Sequence, residues 1–96
     1  MPWAVNYHPD VQGDLDSAGR GGARRILKVV EERIQNGSPD KSGRPLRHNL
    51  AGCRRIRTAS FRIIYKVDDD KVEVLVLAVG PRRNKKEAYT KAEKRT

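Results

Sequence analysis

The sequence has few of the residues that covalent, metal or nucleotide chemistry uses. Cys53 is the single cysteine, so no internal disulfide can form, and a reducing compartment such as the cytoplasm is expected. His8 and His48 are scattered and lack the spacing that a metal site needs. The stretch "GRGG" (19–22) lacks the Lys-Ser/Thr that completes a phosphate-binding loop. We therefore expect neither a metal nor a cofactor, and no acyl-enzyme chemistry.

Long apolar runs and aromatic residues are also scarce. No window approaches about 18 consecutive apolar residues, and "MPWAVNYHPD" has neither a basic leader nor an apolar run, so neither export nor membrane insertion is expected. One Trp, three Tyr and one Phe are too few for a broad platform on which bases stack. The 96 residues suffice for one domain with a single two-layer core, which favours surface chemistry over a deep cavity.

Positive charge is what the sequence has in excess. Lys and Arg number 21 against 12 Asp and Glu, which gives a formal net charge of +9. Such an excess predicts attraction to a polyanion such as RNA, or to an acidic protein partner. The alternative is that the basic residues merely keep a small protein soluble, although excess charge of one sign also destabilises a compact state.

The first half of the chain reads as one strand followed by a pair of helices. "WAVNY" (3–7) alternates as a strand does, and helical spacing of apolar residues follows on both sides of "GRGG". Asn36-Gly37 is typical of a helix end, so the two helices are expected to form a hairpin laid on a sheet. The Gly-, Pro- and Ser-rich stretch 37–47 reads as a connecting loop.

The second half reads as an antiparallel meander of three strands and a short terminal helix. The strands are "CRRIRT" (53–58), "FRIIYKV" (61–67) and "KVEVLVLAVG" (71–80), the last apolar enough to be covered on both faces and stopped at Gly80-Pro81. Asn84 and Glu87 have capping-box spacing, which predicts the helix. The expected fold is therefore an α+β domain over residues 1–96, with helices mainly on one face of the sheet.

Guanidinium groups alternate with apolar residues in the first two strands of this meander. Because successive side chains of a strand point to opposite faces, Arg55, Arg57 and Arg62 are expected on one face. Arginine binds phosphate bidentately and keeps its proton, so a cluster held on strands is a rigid phosphate clamp. Such a clamp suits a sheet that only binds nucleic acid. It equally suits a ribonuclease that stabilises the charge gained by phosphorus when a ribose 2′-hydroxyl attacks.

A family resemblance favours the ribonuclease. The run "LRHNLAGCRRIRTASFRIIYKVDDDKVEVLVLAVGPRR" (46–83), followed by a tyrosine on a basic tail, resembles the RelE/ParE superfamily of toxins of type II toxin–antitoxin systems. RelE-type members are ribosome-dependent endoribonucleases that cleave mRNA in the A site. The resemblance implies a RelE-like, microbial ribonuclease-type fold and a metal-independent mRNA interferase that leaves a 2′,3′-cyclic phosphate or 3′-phosphate end.

The same resemblance implies roles for individual residues. Arg62 and Arg82 would hold the scissile phosphate, and Arg55 and Arg57 would neutralise the transition state and the leaving group. Tyr89 would stack on a base or assist proton transfer, or it could simply pack the last helix onto the sheet. Some relatives carry lysines where this chain has Arg55 and Arg57, and arginine does not lose its proton at working pH, so the general base stays unassigned. Five further basic residues are expected to contact RNA or the ribosome: Arg54, Arg83, Lys85, Lys86 and Lys91.

The expected partners are a cognate acidic antitoxin, the ribosome and mRNA. No membrane partner is expected, and DNA contact is expected only through the antitoxin complex. The basic residues of the tail, Lys91 and Arg95 included, are expected to form a solvated face. Two alternatives stay open: a ParE-like inhibitor of DNA gyrase without nuclease activity, and an inactive relative that binds only its antitoxin and DNA.

Overall fold

A five-stranded mixed sheet carries helices on both of its faces. The computed structural model describes residues 2–96, and the sheet order is β1-β5-β4-β3-β2, with β1 parallel to β5 and the other neighbours antiparallel. None of the described helices combines the length and the apolar content needed to cross a membrane. The elements in chain order are β1 Ala4–Tyr7, α1 Val11–Val29 continued by a π-helical turn Val30–Gln35, β2 Arg44–Pro45, a 3-10 turn His48–Leu50, β3 Cys53–Arg57, β4 Phe61–Asp68, β5 Glu73–Pro81 and α2 Glu87–Arg95.

The predicted α+β class is confirmed, but the sheet is larger than the predicted meander. The meander forms as β3, β4 and β5, and β1 adds a parallel strand to its free edge beside β5. The predicted connecting loop 37–47 contains β2, which pairs with β3 on the other edge. The predicted strand stop at Gly80-Pro81 is confirmed, since β5 ends at Pro81, although both residues still pair with β4.

The predicted break between two helices is a single residue. Gly19 has φ 78° and ψ 171°, which is not helical, and the chain is helical on both sides of it. A positive φ of this size suits glycine because it has no β-carbon. Both helical segments pack on the same face of the sheet, the first through Val11 and Leu15 and the second through Ile26 and Val30.

Two apolar layers lie on opposite sides of the central strand β5. On the α1 side, Ile63 and Tyr65 of β4 are fully buried against the helix residues, as the strand parity predicts. On the other side, Ile64 of β4 and Leu77 of β5 pack against Ala88 and Ala92 of α2. The prediction that the last strand is covered on both faces is therefore confirmed, and this second face is the one that carries the arginines.

Helix α2 is present as predicted, but the predicted capping box does not form. The residue that caps its N-terminus is Lys86, which makes no side-chain capping bond. Asn84 lies before the helix, and its side-chain oxygen accepts a hydrogen bond from the Lys86 amide at 3.3 Å. The helix is thus placed by its contacts with the sheet, with little help from its own N-terminal sequence.

Candidate active site

Four arginines and a tyrosine meet where β3, β4 and α2 come together. Arg57 of β3 is paired directly with Arg62 of β4, and Arg62 is paired on its other side with Gly80 of β5. Arg55 lies one row further along the same face, and its Nη1 donates a hydrogen bond to the Tyr89 hydroxyl of α2 at 2.7 Å. The predicted separation of Arg55, Arg57 and Arg62 from the α1 side of the sheet is thus observed.

Arg82 joins this group from the segment that follows β5. The Nη1 atom of Arg62 donates to the Arg82 backbone carbonyl at 2.6 Å, and the Arg82 side chain donates to the Thr58 carbonyl at 3.3 Å. The five residues for which the resemblance implies catalytic roles are thus neighbours, through the Arg57 and Arg62 pair, the Arg82 carbonyl and the Tyr89 hydroxyl. We call this group, made of Arg55, Arg57, Arg62, Arg82 and Tyr89, the arginine cluster.

Arg62 is buried without a counter-charge. Arg62 is only 6% exposed, and its Nε atom has no hydrogen-bond partner. The buried Nε atom of Arg55 is also unpartnered. Within residues 2–96, no carboxylate lies within ion-pair distance of any arginine of the cluster. A buried charge without a partner destabilises a fold, so the cluster is suited to an anion that comes from outside the chain.

Arg54 does not belong to this cluster. It points to the opposite face of the sheet, where its Nε donates to the Ser42 carbonyl at 2.7 Å and its Nη2 to the Gly43 carbonyl at 3.2 Å. These bonds fasten the segment before β2 beside the buried Tyr65, whose hydroxyl also donates to the Ser42 carbonyl. Arg54 therefore holds this segment in place through backbone carbonyls. It was predicted to contact RNA, but it lies on the face opposite the arginine cluster.

Lys91 and Arg95 are also not in the solvated face predicted for them, because both pair with Asp14 of α1. The side chain of Asp14 is only 3% exposed, and its two oxygens lie 2.7 Å from Arg95 Nη1 and 3.0 Å from Lys91 Nζ. The backbone amide of Val79 also donates a hydrogen bond to Asp14 at 2.9 Å. The Asp14 and Arg95 positions are 81 residues apart, which is why no local pattern reveals the pair. By contrast, Arg83, Lys85 and Lys86 are exposed as predicted.

Acid is expected to weaken this ion-paired arrangement. Burial alone would raise the pKa of the Asp14 carboxyl, but bonds from Arg95, the Val79 amide and Lys91 hold that pKa below its ordinary value. A lowered carboxyl pKa means stability that is present above the unfolded pKa of about 4 and is lost as the pH falls through the folded pKa.

We therefore expect the difference in unfolding free energy between wild type and Asp14→Asn to be constant around pH 7 and to shrink below about pH 4. Urea unfolding of both proteins at a series of pH values measures this difference. A difference that stayed unchanged down to about pH 2 would contradict the assignment of the ion pairs to a charged Asp14.

A cleft of about 880 Å³ lies beside the arginine cluster. It opens between α1, the turn that joins β3 to β4, and the segment between β5 and α2, and Arg82 is the member of the cluster that lines it. Across the part of the chain that is described, no three His, Cys, Asp or Glu side chains lie together as metal ligands would. The members of the arginine cluster are four cationic side chains and one neutral polar side chain, Tyr89.

Comparison with known proteins gives a consistent family. The profile described as the ParE toxin of the type II toxin–antitoxin system, parDE, matches residues 5–85. Toxin RelG of Mycobacterium tuberculosis is 32% identical over 84 residues, which cover 85% of this chain and 93% of the relative. The mRNA interferase toxin RelE of Escherichia coli is 42% identical over 74 residues, which cover 75% of this chain and 70% of the relative.

Solved structures agree with the sequence matches. A chain of the toxin–antitoxin complex RelBE2 of Mycobacterium tuberculosis matches with a TM-score of 0.78 and 26% identity, over 85% of this chain and 100% of that chain. A mutant of the Escherichia coli toxin RelE in the free state matches with a TM-score of 0.76 and 27% identity, over 99% of this chain and 98% of that one.

Proposed function

The chain belongs to the ParE toxin family of type II toxin–antitoxin systems, and from that premise we propose that it is a ribosome-dependent endoribonuclease that cleaves mRNA in the A site. It is a toxin related to RelE and RelG, and its relative in Escherichia coli is an mRNA interferase. The observation that carries the proposal is the buried Arg62 guanidinium, which has no counter-charge in residues 2–96 and stands among three more arginines.

The proposed reaction needs positive charge more than it needs any other group. The ribose 2′-oxygen loses its proton to a base and attacks the adjacent phosphorus, the bond from phosphorus to the 5′-oxygen breaks, and that oxygen takes up a proton. The products are a 2′,3′-cyclic phosphate, which water can open to a 3′-phosphate, and a 5′-hydroxyl. Negative charge builds on phosphorus in the transition state, and fixed donors aimed at that charge supply the largest share of catalysis in such sites.

The residues of the cluster divide this work by position. Arg62 donates to the Arg82 backbone carbonyl, so the two residues are neighbours, and we propose that their guanidinium groups hold the scissile phosphate together. Arg55 and Arg57 lie on the neighbouring strand, where they would neutralise the transition state and the leaving oxygen. Tyr89 is held by Arg55 Nη1 and would present its ring to a base or its hydroxyl to a proton in transit.

A primer-extension assay on programmed ribosomes tests this function. We expect cuts within the A-site codon when the protein is added to ribosome-bound mRNA, and none on the same mRNA without ribosomes. An Arg82→Ala variant is the inactive control, because it removes a guanidinium from the surface end of the cluster, where alanine leaves no buried cavity. Intact mRNA in an active ribosome preparation would reject the proposal.

The alternative is a protein that inhibits DNA gyrase without cutting RNA, and the ParE description of the matching family favours it. A supercoiling assay with purified gyrase separates the two functions. Inhibition of supercoiling together with intact mRNA would establish the alternative. If neither assay responds and cells grow normally while expressing the chain alone, the result favours an inactive relative that binds only its antitoxin and DNA.

An acidic antitoxin is the expected partner of the free protein. The net charge of +9 and the arginine cluster, which is free of carboxylates in the described chain, both favour an acidic segment laid across this face. A chain similar to this one was solved within a toxin–antitoxin complex. Such a segment would neutralise the cluster and block access of RNA to it, in the cytoplasm where mRNA and ribosomes are found.

A further inference from the structure

Helix α2 carries Tyr89 but has little apolar surface to hold it in place. It is nine residues long, which is too short for a helix to be stable by itself in water. Its fully buried side chains are Ala88 and Ala92, each with a single methyl group to bury. Its N-terminus lacks a side-chain cap. Contacts of another kind must therefore fix α2 on the sheet.

The Asp14 carboxylate supplies such a contact from the far end of the chain. Lys91 and Arg95 lie one helical turn apart on α2, and both reach Asp14 of α1. The carboxylate is itself fixed, because it accepts the backbone amide of Val79 in β5. Arg95 also donates to the Leu77 carbonyl at 3.1 Å, so α2 is tied to the central strand as well as to α1.

We propose that Asp14 is a positioning residue of the cleavage site, which docks α2 through Lys91 and Arg95 and thereby holds the Tyr89 hydroxyl on the Arg55 guanidinium. This inference rests on the proposed function, since Tyr89 must take part in cleavage for its position to matter. The competing view is that the ion pairs only stabilise the fold as a whole. The two views differ in what Asp14 does once Tyr89 is gone.

The first arm of the test measures docking without any cleavage. Asp14→Asn keeps the shape of the side chain and its acceptor for Val79 but removes the charge that holds Lys91 and Arg95. Asp16→Asn is the matched control, because Asp16 lies on the same helix, is exposed, and bonds to Gln12. We expect hydrogen exchange of the amides in 87–95 to become about tenfold faster or more in Asp14→Asn, with Asp16→Asn and the amides of β4 unchanged.

The second arm measures cleavage in a double-mutant cycle with Tyr89→Ala. Asp14→Asn alone is expected to slow cleavage by about tenfold or more, because a small misplacement of a catalytic group is enough to do so. In the Tyr89→Ala background, Asp14→Asn is expected to cause no further loss. If the two losses multiply, or if α2 exchanges as slowly as in wild type, the positioning role is wrong.

The two arms also keep this inference separate from the proposed function. If the wild type fails to cleave ribosome-bound mRNA, the proposed function falls. The exchange arm then still decides whether Asp14 docks α2 and with it Tyr89. If the wild type cleaves and Asp14→Asn behaves as Asp16→Asn does in both arms, the function stands and the positioning role is overturned.

Discussion

Replacement of Arg62 by Met is expected to slow mRNA cleavage by about a hundredfold or more while raising the free energy of unfolding by about 1 kcal/mol. The loss of activity follows from the loss of a fixed guanidinium aimed at the phosphate. The gain in stability follows from the environment of Arg62, which is 6% exposed and has an unpartnered Nε atom. Methionine keeps the length of the side chain and removes the buried charge.

Two further features explain why the free energy of unfolding is expected to rise in Arg62→Met. Arg62 is paired directly with Arg57, so a repulsion between like charges disappears in the variant. The hydrogen bond that is lost goes to the backbone carbonyl of Arg82, an exposed residue, where we expect water to replace the guanidinium. Removal of the Arg62 charge is therefore expected to stabilise the fold by more than the loss of its hydrogen bond to the Arg82 carbonyl destabilises it. The wild type carries this charge at a cost in stability, as sites built for function often do.

Arg54→Met is the matched control, for which we expect a loss of stability and no change in cleavage. Arg54 lies on β3, which pairs with β4, but it faces the other side of the sheet and donates to two backbone carbonyls. Its loss is expected to lower the free energy of unfolding by about 1–3 kcal/mol and to leave cleavage unchanged. Urea unfolding and primer extension on both variants measure the two quantities. An Arg62→Met protein that is less stable than wild type, or that still cleaves, would falsify this account of Arg62.

Strand parity explains why most of the arginine cluster could be predicted from the sequence. Arg55 and Arg57 flank Ile56, and Arg62 precedes Ile63; if the two isoleucines face the core, strand alternation assigns all three arginines to the opposite face of the sheet. Arg82 and Tyr89 could not be placed this way, because they lie beyond β5 in segments without strand periodicity. Their inclusion depended on the family resemblance, and the structure joins them to the cluster through the Arg82 carbonyl and the Tyr89 hydroxyl.

Long-range pairing explains what the sequence could not show. Strand β2 is two residues long, Arg44 and Pro45, and two residues carry no period. Asp14 reads as an ordinary polar position in the first turn of a helix, and Lys91 reads as part of a basic tail. Only the fold brings them within 3.0 Å of each other. Whether a charged side chain is buried depends on the fold of the whole chain, so no short stretch of sequence reveals it.

Gly80→Ala is the second change with a large expected effect, because a β-carbon at this position would meet α2. An ideal Cβ atom on Gly80 would lie 2.9 Å from the Ala88 backbone nitrogen and 3.1 Å from the Ala88 Cβ. Gly80 pairs with Arg62 inside the five-stranded sheet, so the strand is less free to shift than the helix that lies on it. Helix α2, whose buried side chains are the small Ala88 and Ala92, is therefore expected to give way, and Tyr89 to move with it.

We expect Gly80→Ala to slow cleavage by about a hundredfold, since a displacement of about 1 Å in a catalytic group is enough for such a loss. The free energy of unfolding should fall by about 1–3 kcal/mol from overpacking. Primer extension on programmed ribosomes and urea unfolding measure the two effects.

Gly21→Ala makes the same chemical change in α1 at a place where the new Cβ atom has nothing within 4 Å. It is expected to raise the free energy of unfolding by about 0.5–1 kcal/mol and to leave cleavage intact, because alanine favours a helix interior over glycine. The pair therefore isolates the contact with Ala88 from the general effect of adding a methyl group. Equal cleavage by the two variants would mean that the packing of α2 against Gly80 of β5 does not determine the position of Tyr89. A loss of cleavage in Gly80→Ala but not in Gly21→Ala would mean that the site requires glycine at position 80, because the missing β-carbon lets α2 pack close to the strand beside Arg62.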